Sequence, residues 1–153
     1  MSKLSITQVN KNNAEIVGRF VFAMEKELWP DDSEHLVELE FIQSAQSLLT
    51  STGFWAFQAQ DGGKTLGIIT LCEKKAIYAN GSFGEVIELY ILPQYRSQNI
   101  GAQLIEAVKL FSSEQGWPFL EVGAPAQPRW AKTLAFYKQQ GFKEIGPRLE
   151  LGL

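Results

Sequence analysis

Apolar and polar positions change their period several times along these 153 residues. Residues 4–9 set Leu4, Ile6 and Gln8 against Ser5, Thr7 and Val9, an alternation that predicts a first strand suited to a sheet edge. Asn12 or Asn13 can cap the helix that follows. Its Val17, Phe20, Val21, Met24 and Leu28 recur at helical spacing, and Pro30 stops it. Asp31 and Glu34 have capping-box spacing, with Ser33 as a second cap candidate. Leu36, Leu39, Ile42, Ala45 and Leu49 then form the stripe of a second helix. Residues 54–60 and 66–72 read as strands joined by Asp61-Gly62-Gly63. A loop over 76–81 leads to a strand over 86–92, and a helix over 103–112 ends at Gly116. Residues 119–122 read as a strand, broken by Gly123-Ala124-Pro125. A last helix spans about 128–140, with Pro128 near its first turn and Gly141 at its end. Residues 142–153 close the chain as one strand, or as two short ones around Gly146-Pro147.

The predicted order is β-α-α-β-β-β-α-β-α-β. An antiparallel front half followed by β-α-β-α-β implies an α/β fold, a central mixed sheet with helices on both faces. The length suits one domain over 1–153, without internal repeat or linker.

Composition narrows the chemistry more than the fold. A net charge of −3 argues against a nucleic-acid surface, which needs a basic stripe. Cys72 is the only cysteine, so no intrachain disulfide is possible, and it sits in an apolar run as a core thiol. His35 is the only histidine, which disfavours a His-based zinc site or a Ser-His-Asp triad; no metal is expected. The first ten residues lack an apolar leader core, and no run approaches membrane-spanning length. The expected setting is cytoplasmic, without a membrane partner.

The segment Tyr95-Arg96-Ser97-Gln98-Asn99-Ile100-Gly101-Ala102 joins a predicted strand to a predicted helix. A helix start offers N–H groups without intrahelical partners and partial positive charge, so such a turn can hold a phosphate. Gly101 allows close approach, and Asn99 tolerates positive φ. An ordinary strand-to-helix turn would look the same.

Together Pro93, Arg96 and Gly101 resemble the acyl-CoA pyrophosphate loop of the GNAT superfamily of N-acetyltransferases, with Asn99 replacing its first Gly. The segment Leu134-Ala135-Phe136-Tyr137-Lys138-Gln139-Gln140-Gly141-Phe142 resembles that family's last helix, and the element order is the family's too. The resemblance implies acetyl-CoA as co-substrate, bound by the loop residues 96–102 (Arg96, Ser97, Gln98, Asn99, Ile100, Gly101 and Ala102) and by backbone groups of Ile91 and Leu92. It also places Tyr137 near the sulfur as a proton donor. Trp130 occupies a position where the family often has Asn, so Arg129 or Lys132 would meet a phosphate instead, or both are simply solvated.

Amine acetylation needs a group to take a proton from the amine and one to support the departing thiolate. Glu88 interrupts the apolar run Val86-Ile87-Glu88-Leu89-Tyr90-Ile91-Leu92, where desolvation would raise its pKa and make it a better base. A structural carboxylate held by hydrogen bonds is the competing reading. Regular alternation puts Glu88 on the face of Val86, Tyr90 and Leu92 and Glu85 on the other; a β-bulge would change that parity. Glu88 ranks first as base and Glu85 second. Tyr137 shares a helical stripe with Trp130 and Leu134 and could equally be a core residue. Trp29, Glu25, Tyr78 and Trp55 are candidates for lining an acceptor pocket between the first two helices, the 74–81 loop and the Glu88 strand.

The expected activity is acetyl transfer from acetyl-CoA to the primary amine of a small molecule. A protein amine as acceptor, a non-catalytic acyl-CoA sensor, a tRNA-directed enzyme and a dinucleotide binder are the rivals. The charge disfavours the tRNA-directed enzyme, and the absence of a Gly-x-Gly-x-x-Gly turn disfavours the dinucleotide binder. A homodimer is compatible with the family resemblance.

Overall fold

A computed structural model describes residues 3–153. Met1 and Ser2, the start of the expected domain and of the segment searched for a leader, lie outside the described residues. The chain forms β1 (Leu4–Gln8), α1 (Ala14–Leu28), α2 (Glu38–Thr50), β2 (Phe54–Asp61), β3 (Lys64–Ala76), β4 (Gly81–Ile91), α3 (Ile100–Glu114), β5 (Leu120–Val122) and α4 (Ala131–Gln139). The five strands lie in chain order in one sheet. Neighbours are antiparallel except β4 and β5, which run parallel.

Each face of the sheet buries a helical layer. On one face Ile69, Leu71 and Val86 pack with Leu104, Ile105 and Val108 of α3 and with Tyr137 of α4. On the other, Ile68 and Tyr90 meet Phe20 of α1, while Val17 and Ala45 join Ala56. Ile68, Ile69 and Leu71 are fully buried, each worth about 1.5–3 kcal/mol relative to exposure. Gly18 is required where α1 crosses α2. A Cβ there would stand 2.5 Å from the Ile42 Cα, inside any allowed contact.

Several boundaries differ from the sequence expectation. The capping box at Asp31 and Glu34 does not form. Residues after Pro30 make turns instead, with Leu36 N–H donating to the Ser33 carbonyl, and α2 begins at Glu38. Leu36 is therefore outside the helix. Acids Glu38 and Glu40 sit in its first turn, where the helix dipole favours them. Half of the loop expected over 74–81 is strand: β3 runs to Ala76 and β4 starts at Gly81, on either side of a one-turn 3-10 helix, Ile77–Ala79. Asn80 takes the left-handed conformation that closes this turn. α4 starts at Ala131, three residues past the expected Pro128.

The expected closing strand over 142–153 is absent. Gly146, at φ +149°, and Pro147 interrupt the segment, and no ladder joins it to β5. Ile145, Leu149, Leu151 and Leu153 are left exposed.

Among the described residues no helix is long and apolar enough to cross a membrane. No group of three or more His, Cys, Asp or Glu there could hold a metal ion.

Candidate active site

The β3–β4 ladder carries a defect at the residue of interest. Ile69 faces Leu89, but Leu71 faces Val86. Two residues, Ile87 and Glu88, therefore stand opposite Thr70, which is a β-bulge. The extra residue flips the parity of everything before it. Val86 and Leu89 both reach the α3 face, whereas Glu88 and Tyr90 point to the α1 face. Glu88 thus shares a face with Tyr90 as expected but not with Val86. Glu85, expected opposite Glu88, faces the same side.

A bulge leaves a backbone donor without its ladder partner. Here the Glu88 N–H donates to Thr70 Oγ1 at 3.0 Å. The same hydroxyl donates to the Glu88 carboxylate. Thr70 is fully buried, so this one hydroxyl caps the bulge and fixes the carboxylate. Burial pushes the Glu88 carboxyl up from its ordinary value, the Thr70 bond pulls it partly back, and the nearby Glu25 carboxylate pushes it up again. Glu25, on α1, is itself pushed up by burial. Glu85 is compensated differently, by Lys74 at 3.5 Å and Arg148 at 3.2 Å. The sequence signal for Glu88, a charge inside an apolar strand, was readable. Nothing in the local pattern singled out Thr70, because its role depends on cross-strand register.

Beyond the bulge, β4 has an open edge. β5 pairs only with Gly84, Glu85 and Val86, after which Gly123-Ala124-Pro125 turns away. Leu92 N–H donates to the Leu66 carbonyl at 2.9 Å, so its main chain faces β3. By alternation Ile91 turns its N–H to the open edge, while its carbonyl accepts from Arg96 Nε at 3.0 Å. Of the two expected backbone partners for an amide-bearing ligand, Ile91 therefore faces the slot and Leu92 does not.

The open edge leads into the 96–102 loop. Ser97 (φ +62°) and Asn99 (φ +66°) both take the left-handed conformation, the second as expected and the first unanticipated. Gln103 N–H makes the first bond back, to the Asn99 carbonyl at 3.3 Å. Among the described residues the N–H groups of 97–102 donate to no backbone acceptor. Residues 96–99 are exposed, while Ile100 is buried and anchors the helix start. Such a run of free donors suits an anion. The Arg96 side chain turns inward instead. Its Nε donates to the Ile91 carbonyl at 3.0 Å, and its guanidinium pairs with Glu27 at 3.0 Å over the Tyr90 ring. Gly101 also has a packing task within the fold. A Cβ there would lie 3.0 Å from the Phe136 ring, so its small size serves the approach of α4 to α3.

Tyr137 lies on the opposite sheet face from Glu88, in the core with Val86, and is flanked edge-on by Phe136 and Phe142. Burial pushes its phenol up to about 12. Arg129 is exposed and its guanidinium lies over the Trp130 ring, 5.3 Å from the centroid. Trp29 is exposed at the end of α1. Tyr78 stacks on Phe119 near Glu121, at the far end of the sheet. Trp55 packs against Phe111 and Trp117 on the α3 face, away from Glu88.

Comparison with known proteins bears on this arrangement. Residues 50–144 match the model of the acetyltransferase (GNAT) domain. An IAA acetyltransferase of Azospirillum brasilense is 28% identical over 123 residues, 79% of this chain and 71% of its own. An aminoglycoside N-acetyltransferase solved with CoA superposes with a TM-score of 0.78 at 20% identity, covering 100% of this chain and 96% of the other. An aminoglycoside acetyltransferase from an uncultured soil metagenomic sample, solved with sisomicin, gives 0.80 at 20% identity, covering 98% and 96%. A ribosomal-protein-alanine N-acetyltransferase from Brucella melitensis gives 0.76 at 16% identity, covering 99% and 100%. The structural matches establish the fold alone, and the domain match covers the loop, the bulged strand and α4 together: the chain belongs to the GNAT superfamily of N-acetyltransferases.

Proposed function

We propose that this enzyme transfers the acetyl group of acetyl-CoA to the primary amine of a small molecule. One observation carries the reading. The bulge that aims a half-buried carboxylate, Glu88, lies beside an unpaired strand edge that runs into a loop of free N–H groups. The residues fit the co-substrate. The N–H groups of 97–102 suit its pyrophosphate, and the main chain of Ile91 suits an amide of its arm. The co-substrate supplies an activated thioester carbon. Arg96 acts by tying the loop to α1 through Glu27 rather than by touching phosphate.

Glu88 takes the proton of the incoming ammonium, directly or through water. Its raised pKa makes it a stronger base than an exposed carboxylate. As the C–N bond forms the C–S bond breaks, and the sulfur leaves as thiolate. Tyr137 supports that charge by donating a hydrogen bond. A phenol near 12 is less acidic than an alkyl thiol near 8.5, so complete transfer of its proton would be uphill by about 5 kcal/mol. The sulfur therefore gains its proton from solvent. Glu85, already paired with Lys74 and Arg148, is the weaker base candidate. The test is an amine panel assayed for free thiol, with calorimetric titration of CoA alongside. Tight CoA binding with turnover of at least one small amine supports the reading. CoA binding without turnover of any amine would reduce the protein to an acyl-CoA sensor.

A further inference from the structure

A cavity of about 290 Å³ opens between α1 and α2 on the Glu88 side of the sheet. Val17, Val21, Phe41, Leu48 and Phe54 make up most of its wall, with Ser44 and Glu40 as the polar side chains contributed by α2. Thr70 and Glu88 also line it, and they come from the sheet beneath the two helices. The cleft lies beside the crossing at Gly18, where the α1 and α2 backbones are in direct contact, so rigid helices rather than a loop hold its shape. No Lys, Arg or His lines it, and the remaining carboxylate among its lining residues is Glu40. Volume, wall chemistry and charge can each be read as a requirement on the occupant.

The volume is at the small end of small-molecule sites. Apolar walls would leave the hydroxyl and ammonium groups of a polycationic sugar without partners, and each such group costs free energy when dried. Of the two lining carboxylates Glu40 is exposed, so Glu88 at the base is the one that matches an enclosed ammonium. The geometry points to an acceptor with a single primary amine on a compact apolar body, an arylalkyl- or alkylamine, its ammonium at Glu88 and its body between α1 and α2. This inference rests on the proposed acetyl transfer and names its acceptor class. It sets the chain apart from the aminoglycoside enzymes whose fold it shares.

The probes are 2-phenylethylamine, ethanolamine and kanamycin, which present an apolar body, no such body and a polycation. The expected kcat/KM for 2-phenylethylamine exceeds that for ethanolamine by roughly 10- to 100-fold, the worth of burying one phenyl group, and exceeds that for kanamycin. Leu48 is half-exposed on α2, so Leu48→Trp can narrow the cleft without disturbing the core. It should raise KM for 2-phenylethylamine about tenfold or more and leave CoA affinity unchanged. Leu48→Lys, which adds a cation to the cleft wall, should do the same and serves if the Trp variant folds poorly. Kanamycin or ethanolamine preferred over 2-phenylethylamine would overturn the inference, as would indifference of every amine to both Leu48 variants. Calorimetry of 2-phenylethylammonium separates this from failure of the enzyme reading. Binding that depends on Leu48 without turnover of any amine keeps the cavity assignment and sinks acetyl transfer. Absence of binding together with turnover of polyamines sinks the cavity assignment alone.

Discussion

Replacing Thr70 by Val tests the link between the bulge and the base. The two side chains have nearly the same shape, so the change removes one hydroxyl from a fully buried position. Two bonds go with it. The Glu88 N–H loses its 3.0 Å acceptor and stays buried, which costs about 1–3 kcal/mol of stability. The Glu88 carboxylate loses its hydroxyl donor. That bond lowers a pKa that burial and Glu25 raise, so its loss moves the pKa further up. A hydrogen bond to a charged group is worth about 1.5–3 kcal/mol, which shifts a titration by about one pH unit or more. If ionised Glu88 is the base, the acid limb of kcat/KM moves to higher pH by that amount. Activity at a pH on that limb falls about tenfold or more, while the alkaline plateau is largely kept. The assay is the pH profile of kcat/KM by free-thiol release, beside urea unfolding of the same protein. Thr70→Ser keeps the hydroxyl and should keep the limb in place. A stability loss with an unmoved acid limb would show that Thr70 supports the strand only and that Glu88 is not the titrating base. An unchanged stability would remove the bulge cap altogether.

Glu88→Gln should lower kcat/KM, with partial recovery at high pH where the amine is already neutral, and Glu85→Gln should change it little; reversal of the two would exchange their roles. The same Glu88→Gln variant should be more stable than the parent at neutral pH. A carboxyl with a raised folded pKa stabilises fully only below its ordinary value near 4.5 and loses that contribution as pH rises through the folded pKa. The stability gap between Glu88→Gln and parent, measured by thermal unfolding, should therefore close below about pH 4.5; a gap independent of pH would contradict the assigned burial cost. Tyr137→Phe should reduce kcat about ten- to a hundredfold while CoA affinity is kept, the worth of one hydrogen bond to a charged group, and a change under threefold would make Tyr137 structural. Gly101→Val should destabilise the fold by about 1–3 kcal/mol through overpacking against Phe136. Adding Phe136→Leu should recover part of that loss in urea unfolding, and simple additivity would refute the contact.

The fold was readable because helix and strand periods alternate clearly, and because Pro30, Gly116 and Gly141 mark ends that the structure respects. Errors arose where sheet pairing overrides local signals. Lys74, Lys75, Ala76 and Gly81 fall in the expected loop, yet pairing across the hairpin extends both strands through them. The tail shows the reverse. Its Leu149, Leu151 and Leu153 alternate like a strand, but alternation makes a strand only where an edge receives it. The candidate site divides in the same way. Asn99, Glu88 and the loop were visible as residue types out of place. Thr70, the inward turn of Arg96 and the contact of Gly101 with Phe136 depend on what lies across the fold, and no short window of sequence contains both partners.

The bulge at Ile87 and Glu88 makes chain length, rather than residue identity, the variable to which this site is most sensitive. Removing Ile87 would draw the strand one place along the bulged ladder and send every side chain from Gly81 to Val86 to the opposite face. Glu85 would enter the apolar layer beneath α3 in the place of Val86, and Gly84 would take the place of Glu85 beside Lys74 and Arg148. Gly84 would leave Trp117 and Leu120 facing a side chain in the space that its missing Cβ now provides. A single codon lost from this strand would therefore do what no single substitution can: exchange the wet and dry sides of half a strand at once.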